Sequence, residues 1–281
     1  MERKKDGKKL FISLIFGIAL LFAYVFGAEF VTKFTGSVFS NRQLDQLAGF
    51  AMQVITGIIA YVFVRKMYNI KIGPSCKNMA TGIFEYGAAA WIFICLNVDS
   101  VLLKGYTMPE MPVAKVFFIV SISLLFNIGI GIAEEVICRG IFFNACMKFF
   151  GDTKKGVVLS VILSSAIFGL AHALNLIDHP ELIVSTIAQI IYAIFFGAMF
   201  CVIYYRTGNL WPSIILHGLI DFVARDHVFT DLNPSLVKTD STVLMGVATV
   251  AMVFIAFVIS MVQINTVFKN KKAEAIEAKT A

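Results

Sequence analysis

Charge is what this sequence has least of. Charged residues make up 15% of its 281 positions, where a soluble domain carries closer to a quarter. With 58% hydrophobic residues and a mean hydropathy of +0.82, the shortage excludes a sizeable soluble domain and marks an integral membrane protein. An even cysteine framework is also missing. Cys95, Cys138, Cys146 and Cys201 lie in apolar stretches and Cys76 in a basic loop, so free thiols are expected. No internal repeat is evident, and the one compositionally biased segment is the charged tail Lys269–Ala281. The net charge of +6 raises the question of nucleic acid. The basic residues instead sit beside apolar segments, a pattern of membrane topology, and no nucleic-acid partner is expected.

The basic start, Arg3 to Lys9, precedes an apolar run from Leu10 to about Ala28. That run is long for a signal peptide and no A-x-A cleavage site follows it, so a retained first helix is expected. About 20 apolar residues cross a bilayer. Candidate spans lie at 10–28, 47–64, 80–103, 113–135 (continuing as helix to about 150), 156–177, 183–204, 209–224 and 243–265. The expected fold is an all-α polytopic bundle of about eight transmembrane helices. Both termini and the even-numbered loops (Arg65, Lys66, Lys71 and Lys77; Lys148, Lys154 and Lys155; Arg206) are basic. Odd loops are poorer in Lys and Arg and carry Asp178, Glu181, Asp226 and Asp231. The positive-inside rule then places both termini in the cytoplasm of a multi-pass cell-membrane protein, with the lipid bilayer as a partner.

Against this apolar background, the run Ala133-Glu134-Glu135-Val136-Ile137-Cys138-Arg139-Gly140 stands out. An ionised side chain at bilayer depth costs about 2.5–3.5 kcal/mol and is a functional-site hypothesis by default. Two further groups belong with it: Phe168-Gly169-Leu170-Ala171-His172 and His217-Gly218-Leu219-Ile220-Asp221. Residues four apart share a helix face, so Glu135 and Arg139 can form a structural ion pair. Glu134 points about 100° away from Glu135 and is available to another partner. A tight hairpin centred on Thr153 puts Glu134 level with His172, each roughly 25–28 Å from the turn. His217 and Asp221 enter from a third helix, and a late helix start at Trp211-Pro212 would help them reach the same depth. Residues 113–150 are too long for one straight span, and Gly129 and Gly131 suit close packing or a kink. Ser164 and Ser165 read as helix-packing residues, and Asp178, His179, Asp226 and His227 as solvated loop residues.

One carboxylate, two imidazoles and a second carboxylate suit hydrolysis. Glu134 would take a proton from water. His172 would orient that water, His217 would donate to the oxyanion, and Asp221 would fix the His217 tautomer. In the other reading Glu134, His172 and His217 ligate one divalent metal, zinc before others, although no HExxH helix occurs.

The three motifs in this order resemble the CAAX protease and bacteriocin-processing family of intramembrane proteases, also called the Abi family. That pattern is E-E-x-x-x-R, F-x-x-x-H and H-x-x-x-N, read here as Glu134-Glu135…Arg139, Phe168…His172 and His217…Asp221. The resemblance covers roughly residues 113–225. It implies an eight-helix membrane fold and peptide-bond hydrolysis, with Glu134 as water activator and His172 and His217 as oxyanion or metal partners. Asp221 stands where the family commonly has Asn, and an ionised Asp cannot donate to an oxyanion.

The expected organisation is a scaffold over 1–112, a protease core over 113–225, and a final helix with a basic tail over 226–281. The expected function is an intramembrane endopeptidase acting on peptide or membrane-protein substrates. Maturation of a bacteriocin or peptide pheromone, or self-immunity, fits better than CAAX processing. The competing class is a non-enzymatic immunity or transport protein that uses the same buried charges for binding.

Overall fold

The computed structural model describes residues 6–39, 42–72, 75–103, 111–224 and 243–280. The acidic positions Asp226 and Asp231, His227 and the basic Arg3 fall outside them. Among the described residues every regular element is a helix. In chain order these are α1 (Gly7–Phe39), α2 (Arg42–Tyr68), α3 (Ala88–Leu103), α4 (Val113–Glu135), α5 (Asn144–Phe150), α6 (Lys154–Ala171), α7 (Asn175–Asp178), α8 (Ile183–Thr207), α9 (Trp211–Ala224) and α10 (Val243–Thr280). A π-helical turn, Thr81–Tyr86, leads into α3, and another, Val136–Phe143, joins α4 to α5.

Among the described residues, six helical stretches are long and apolar enough to cross a membrane: Gly7–Gly36, Arg42–Tyr68, Val113–Phe150, Lys154–Ile177, Pro180–Thr207 and Gly246–Glu274. The chain is therefore an all-α, multi-pass membrane bundle. The count differs from the expected eight at α3 and α9. Trp211–Ala224 holds 14 residues, about 21 Å of helix against a hydrocarbon core of about 30 Å. α3, Ala88–Leu103, is likewise short at 16 residues, and residues expected at the start of that span form the π turn Thr81–Tyr86.

Helix runs without interruption from Val113 to Phe150, where a break was expected, and the irregularity within it is the π-helical turn Val136–Phe143. The glycines serve close packing. A Cβ on Gly131 would lie 2.6 Å from the Ile214 carbonyl oxygen, and one on Gly218 would lie 2.8 Å from Ile128 Cα. The backbones of α4 and α9 thus touch through a glycine on each helix, one turn before Glu135 and directly after His217.

The α5–α6 hairpin turns at Gly151, whose φ is +84°, a conformation open to glycine at little cost. Thr153 caps α6 by accepting from Gly156 N at 3.1 Å. In the turn, Asp152 accepts from the Tyr205 hydroxyl at 2.6 Å and from Lys271 Nζ at 2.9 Å. Burial pushes the Asp152 carboxyl up, but these two donors and the lysine charge outweigh it and hold it below its ordinary value.

The start of α9 lies inside the fold, with Leu210 and Asn209 buried. Asn209 Nδ2 donates to the carbonyls of Ser75 and Lys77, both at 2.8 Å, and Asn209 Oδ1 accepts from Trp211 N at 3.1 Å. This anchored, buried connection carries α9 inward and brings His217 to the level of the glutamates.

Candidate active site

The site is built on the π-helical turn. All eight residues from Val136 to Phe143 are buried. A π turn widens the backbone ladder and leaves carbonyls to be satisfied from outside it, and such turns recur at functional sites. Here side chains supply the donors. Ser164 Oγ donates to the Cys138 carbonyl at 2.8 Å. Asn144 Nδ2 donates to the carbonyls of Arg139 and Gly140, each at 3.0 Å, and lies 3.1 Å from the Tyr204 hydroxyl.

Glu135 is the hub. Its Oε1 accepts from Arg139 Nη1 at 2.8 Å and from His217 Nδ1 at 2.8 Å. Both Glu135 and Arg139 have no exposed side-chain surface. Two buried, oppositely charged groups persist in an apolar interior only when paired and hydrogen-bonded. Arg139 meets that demand further by donating Nη2 to the Gly197 carbonyl at 3.0 Å. Its guanidinium lies 4.6 Å from the Phe168 ring centroid and 5.3 Å from that of Phe200. Gly197 makes room for it, since a Cβ there would approach Arg139 Nη2 to 3.1 Å.

His217 is fixed on every side. Its Nδ1 is held by Glu135, its ring stacks on Phe200 at 5.3 Å and 12°, and Phe168 meets it edge-on at 5.6 Å. A carboxylate oxygen can only accept, so Nδ1 carries the proton. The opposite nitrogen, Nε2, lies 3.6 Å from Glu134 Oε2 and 3.9 Å from Asp221 Oδ2. The sequence reading gave tautomer control to Asp221 and only a structural pair to Glu135. The geometry assigns the Nδ1 contact to Glu135 and puts Asp221 on the side of Nε2. The reason is reach: Glu135 projects from α4 onto α9, whereas Asp221 is one turn further along the same helix as His217.

The two glutamates differ in exposure. Glu135 is sealed, while 20% of the Glu134 side chain and 24% of the Asp221 side chain remain exposed. The partly open edge of the cluster is therefore Glu134, His217 Nε2 and Asp221.

His172 closes α6 and begins a short 3₁₀ turn. Its Nδ1 donates to the Phe168 carbonyl at 3.1 Å, so in the neutral ring Nε2 is an acceptor. It meets the cluster through the Phe168 ring, which lies edge-on to it at 5.3 Å. The hairpin spacing predicts His172 level with Glu134, and the structure also brings His217 to Glu134, with Nε2 3.6 Å from Glu134 Oε2. Among the described residues, no three His, Cys, Asp or Glu side chains converge as a group that could hold a metal ion. Glu134, His172 and His217 are thus not assembled as a zinc set among the described residues. His179 lies apart, exposed and 3.2 Å from Glu181.

Three contributors went unread in the sequence, Phe200, Gly197 and Asn144, while Phe168, read there as part of the second motif, is placed by the packing as the platform between both histidines and Arg139. Only Asn144 carries a sequence signal, as an isolated amide in an apolar run five residues after Arg139.

No curated protein and no solved structure matches the chain. Residues 116–223, which contain all three motifs, match the family model described as type II CAAX prenyl endopeptidase Rce1-like, consistent with the CAAX protease family that the motifs resemble.

Proposed function

We propose that this protein is an intramembrane endopeptidase in which Glu134 activates water against a peptide bond. The observation that supports the reading most is the division of labour between adjacent carboxylates. Glu135 is buried and committed to Arg139 and His217, while Glu134 is partly exposed beside His217 Nε2. A separation of 3.6 Å exceeds a direct hydrogen bond, and the exposed part of the Glu134 carboxylate is where a water is taken up.

In the proposed reaction Glu134 removes a proton from that water, and the oxygen attacks the scissile carbonyl carbon. His172, with its Nδ1 proton committed to Phe168, accepts from the water through Nε2 and orients it. His217, backed by Glu135, stabilises the developing oxyanion from Nε2 in its imidazolium form. Glu134 then delivers its proton to the leaving amine as the carbon–nitrogen bond breaks, so one water is consumed and Glu134 is restored. Asp221 positions and electrostatically supports the imidazolium. Cytoplasmic termini and placement in the cell membrane belong to the same proposal.

The substrate is a membrane-associated peptide or protein. Bacteriocin or pheromone precursors form one class to assay. Prenylated C-terminal peptides form the other, because the matched family is described as prenyl endopeptidases. The decisive variant is Glu134→Gln, which keeps shape and removes the base. Loss of a general base lowers turnover by about 10²–10⁴-fold. New peptide termini, read by mass spectrometry on purified protein, should vanish to that extent while the melting temperature is kept. Cleavage at the wild-type rate would remove Glu134 from the mechanism.

A further inference from the structure

A second polar site lies away from the carboxylate–histidine cluster. A cavity of about 290 Å³ opens where α1, α2 and α5 meet, lined by Asp6, Lys9, Leu10, Tyr68, Lys148 and Phe149 among others. None of these residues belongs to the three motifs. Lys9 is in the first turn of α1, Tyr68 is the last residue of α2, and Lys148 is in the last turn of α5. All three helices belong to apolar stretches long enough to cross a membrane. The cavity is therefore at a membrane–water boundary, at the end of the bundle where the basic loops gather.

We propose that this cavity binds the phosphate group of an anionic phospholipid. Two ammonium groups, Lys9 and Lys148, line it. The carboxylate present is already engaged in capping α1: Asp6 Oδ1 accepts from the Lys9 backbone N at 3.0 Å. Asp6 Oδ2 stands 3.9 Å from Lys9 Nζ, beyond hydrogen-bond length, so the lysine keeps donors for an incoming oxyanion. The Tyr68 hydroxyl adds a polar wall and is itself held 2.6 Å from Ser13 Oγ. Leu10 and Phe149 supply an apolar wall. Whole-ligand pockets start near about 300 Å³, so the cavity takes a headgroup and leaves the acyl chains in the bilayer. Basic pockets between transmembrane helices are a recurrent seat for such headgroups. A soluble phosphate ester shares the recognised chemistry, and the experiment separates the two sources.

Full-length protein in uncharged detergent is mixed with phosphatidylglycerol or phosphatidylcholine at low salt, and retained lipid is read by native mass spectrometry. Phosphatidylglycerol should be retained over phosphatidylcholine. A lysine near an anionic surface contributes roughly fivefold, so Lys9→Gln combined with Lys148→Gln should weaken retention about 25-fold. Lys66→Gln, an exposed lysine outside the cavity lining, should leave it unchanged. Displacement of the lipid by an equal concentration of glycerol 3-phosphate would support the phosphate site and identify a soluble ligand as its occupant. Equal retention of both lipids, equal retention by wild type and the double variant, or an equal loss in Lys66→Gln would overturn the site.

Discussion

The turn Val136–Phe143 and the helix α1 are both written almost entirely in apolar residues, yet they behave oppositely. Every residue of the turn is buried. On α1, Phe11, Phe22, Phe26, Phe30 and Phe34 are exposed. In water that pattern would be a liability; in a bilayer it is a lipid-facing surface. Apolarity by itself therefore does not distinguish core from periphery in this molecule. The distinguishing signal is what accompanies it. The turn carries Arg139 at its centre and meets glycine, serine and asparagine from neighbouring helices, all engaged in satisfying it.

The contrast can be broken by substitution, and the largest effect is expected at its centre. Arg139→Met leaves the buried Glu135 with His217 alone of the two partners on its Oε1. Removing one partner of a buried pair costs about 3–5 kcal/mol, and the melting temperature in detergent should fall accordingly. A shift no larger than that of an α1 surface variant would erase the distinction between the two regions.

Next comes Gly131→Ala, whose added methyl would sit 2.6 Å from the Ile214 carbonyl oxygen. Overpacking of that kind costs about 1–3 kcal/mol. Because α9 must move to relieve it, peptide cleavage should fall as well. Its counterpart is Gly36→Ala on α1, where nothing lies within 4 Å of the new Cβ; there the helix should tighten slightly, with cleavage unchanged. If Gly131→Ala behaves like Gly36→Ala, the close α4–α9 approach does not position His217. The smallest effect belongs to Phe30→Ala. Its ring is 69% exposed, and surface substitutions usually stay within about 0.5 kcal/mol.

Much of this architecture was legible in advance. The low charge identified a membrane protein. The three motifs named the residues that gather in the site. What could not be read was which atom meets which. Glu135 and Arg139 are four apart on one helix, so their pairing follows from helical geometry. The contact of Glu135 with His217 spans 82 residues and depends on how closely α4 and α9 approach. That approach rests on Gly131 and Gly218 and on the buried anchorage of Asn209. The expected depth match of Glu134 with His172 used rise per residue along a straight hairpin. The π turn Val136–Phe143 lies between Glu134 and the hairpin turn, an irregularity of rise that residue spacing does not encode.

By itself the sequence determined the solvent, the helical class and the chemical inventory: two adjacent glutamates, one arginine, two histidines and an aspartate in apolar surroundings. Those follow from composition and from local periodicity, which each segment carries alone. Only the tertiary structure decided that Glu135, not Asp221, holds His217 Nδ1, and that Glu134 keeps the partly open edge. Both depend on helices far apart in the chain, α4 and α9, and on where Gly131 and Gly218 let their backbones touch.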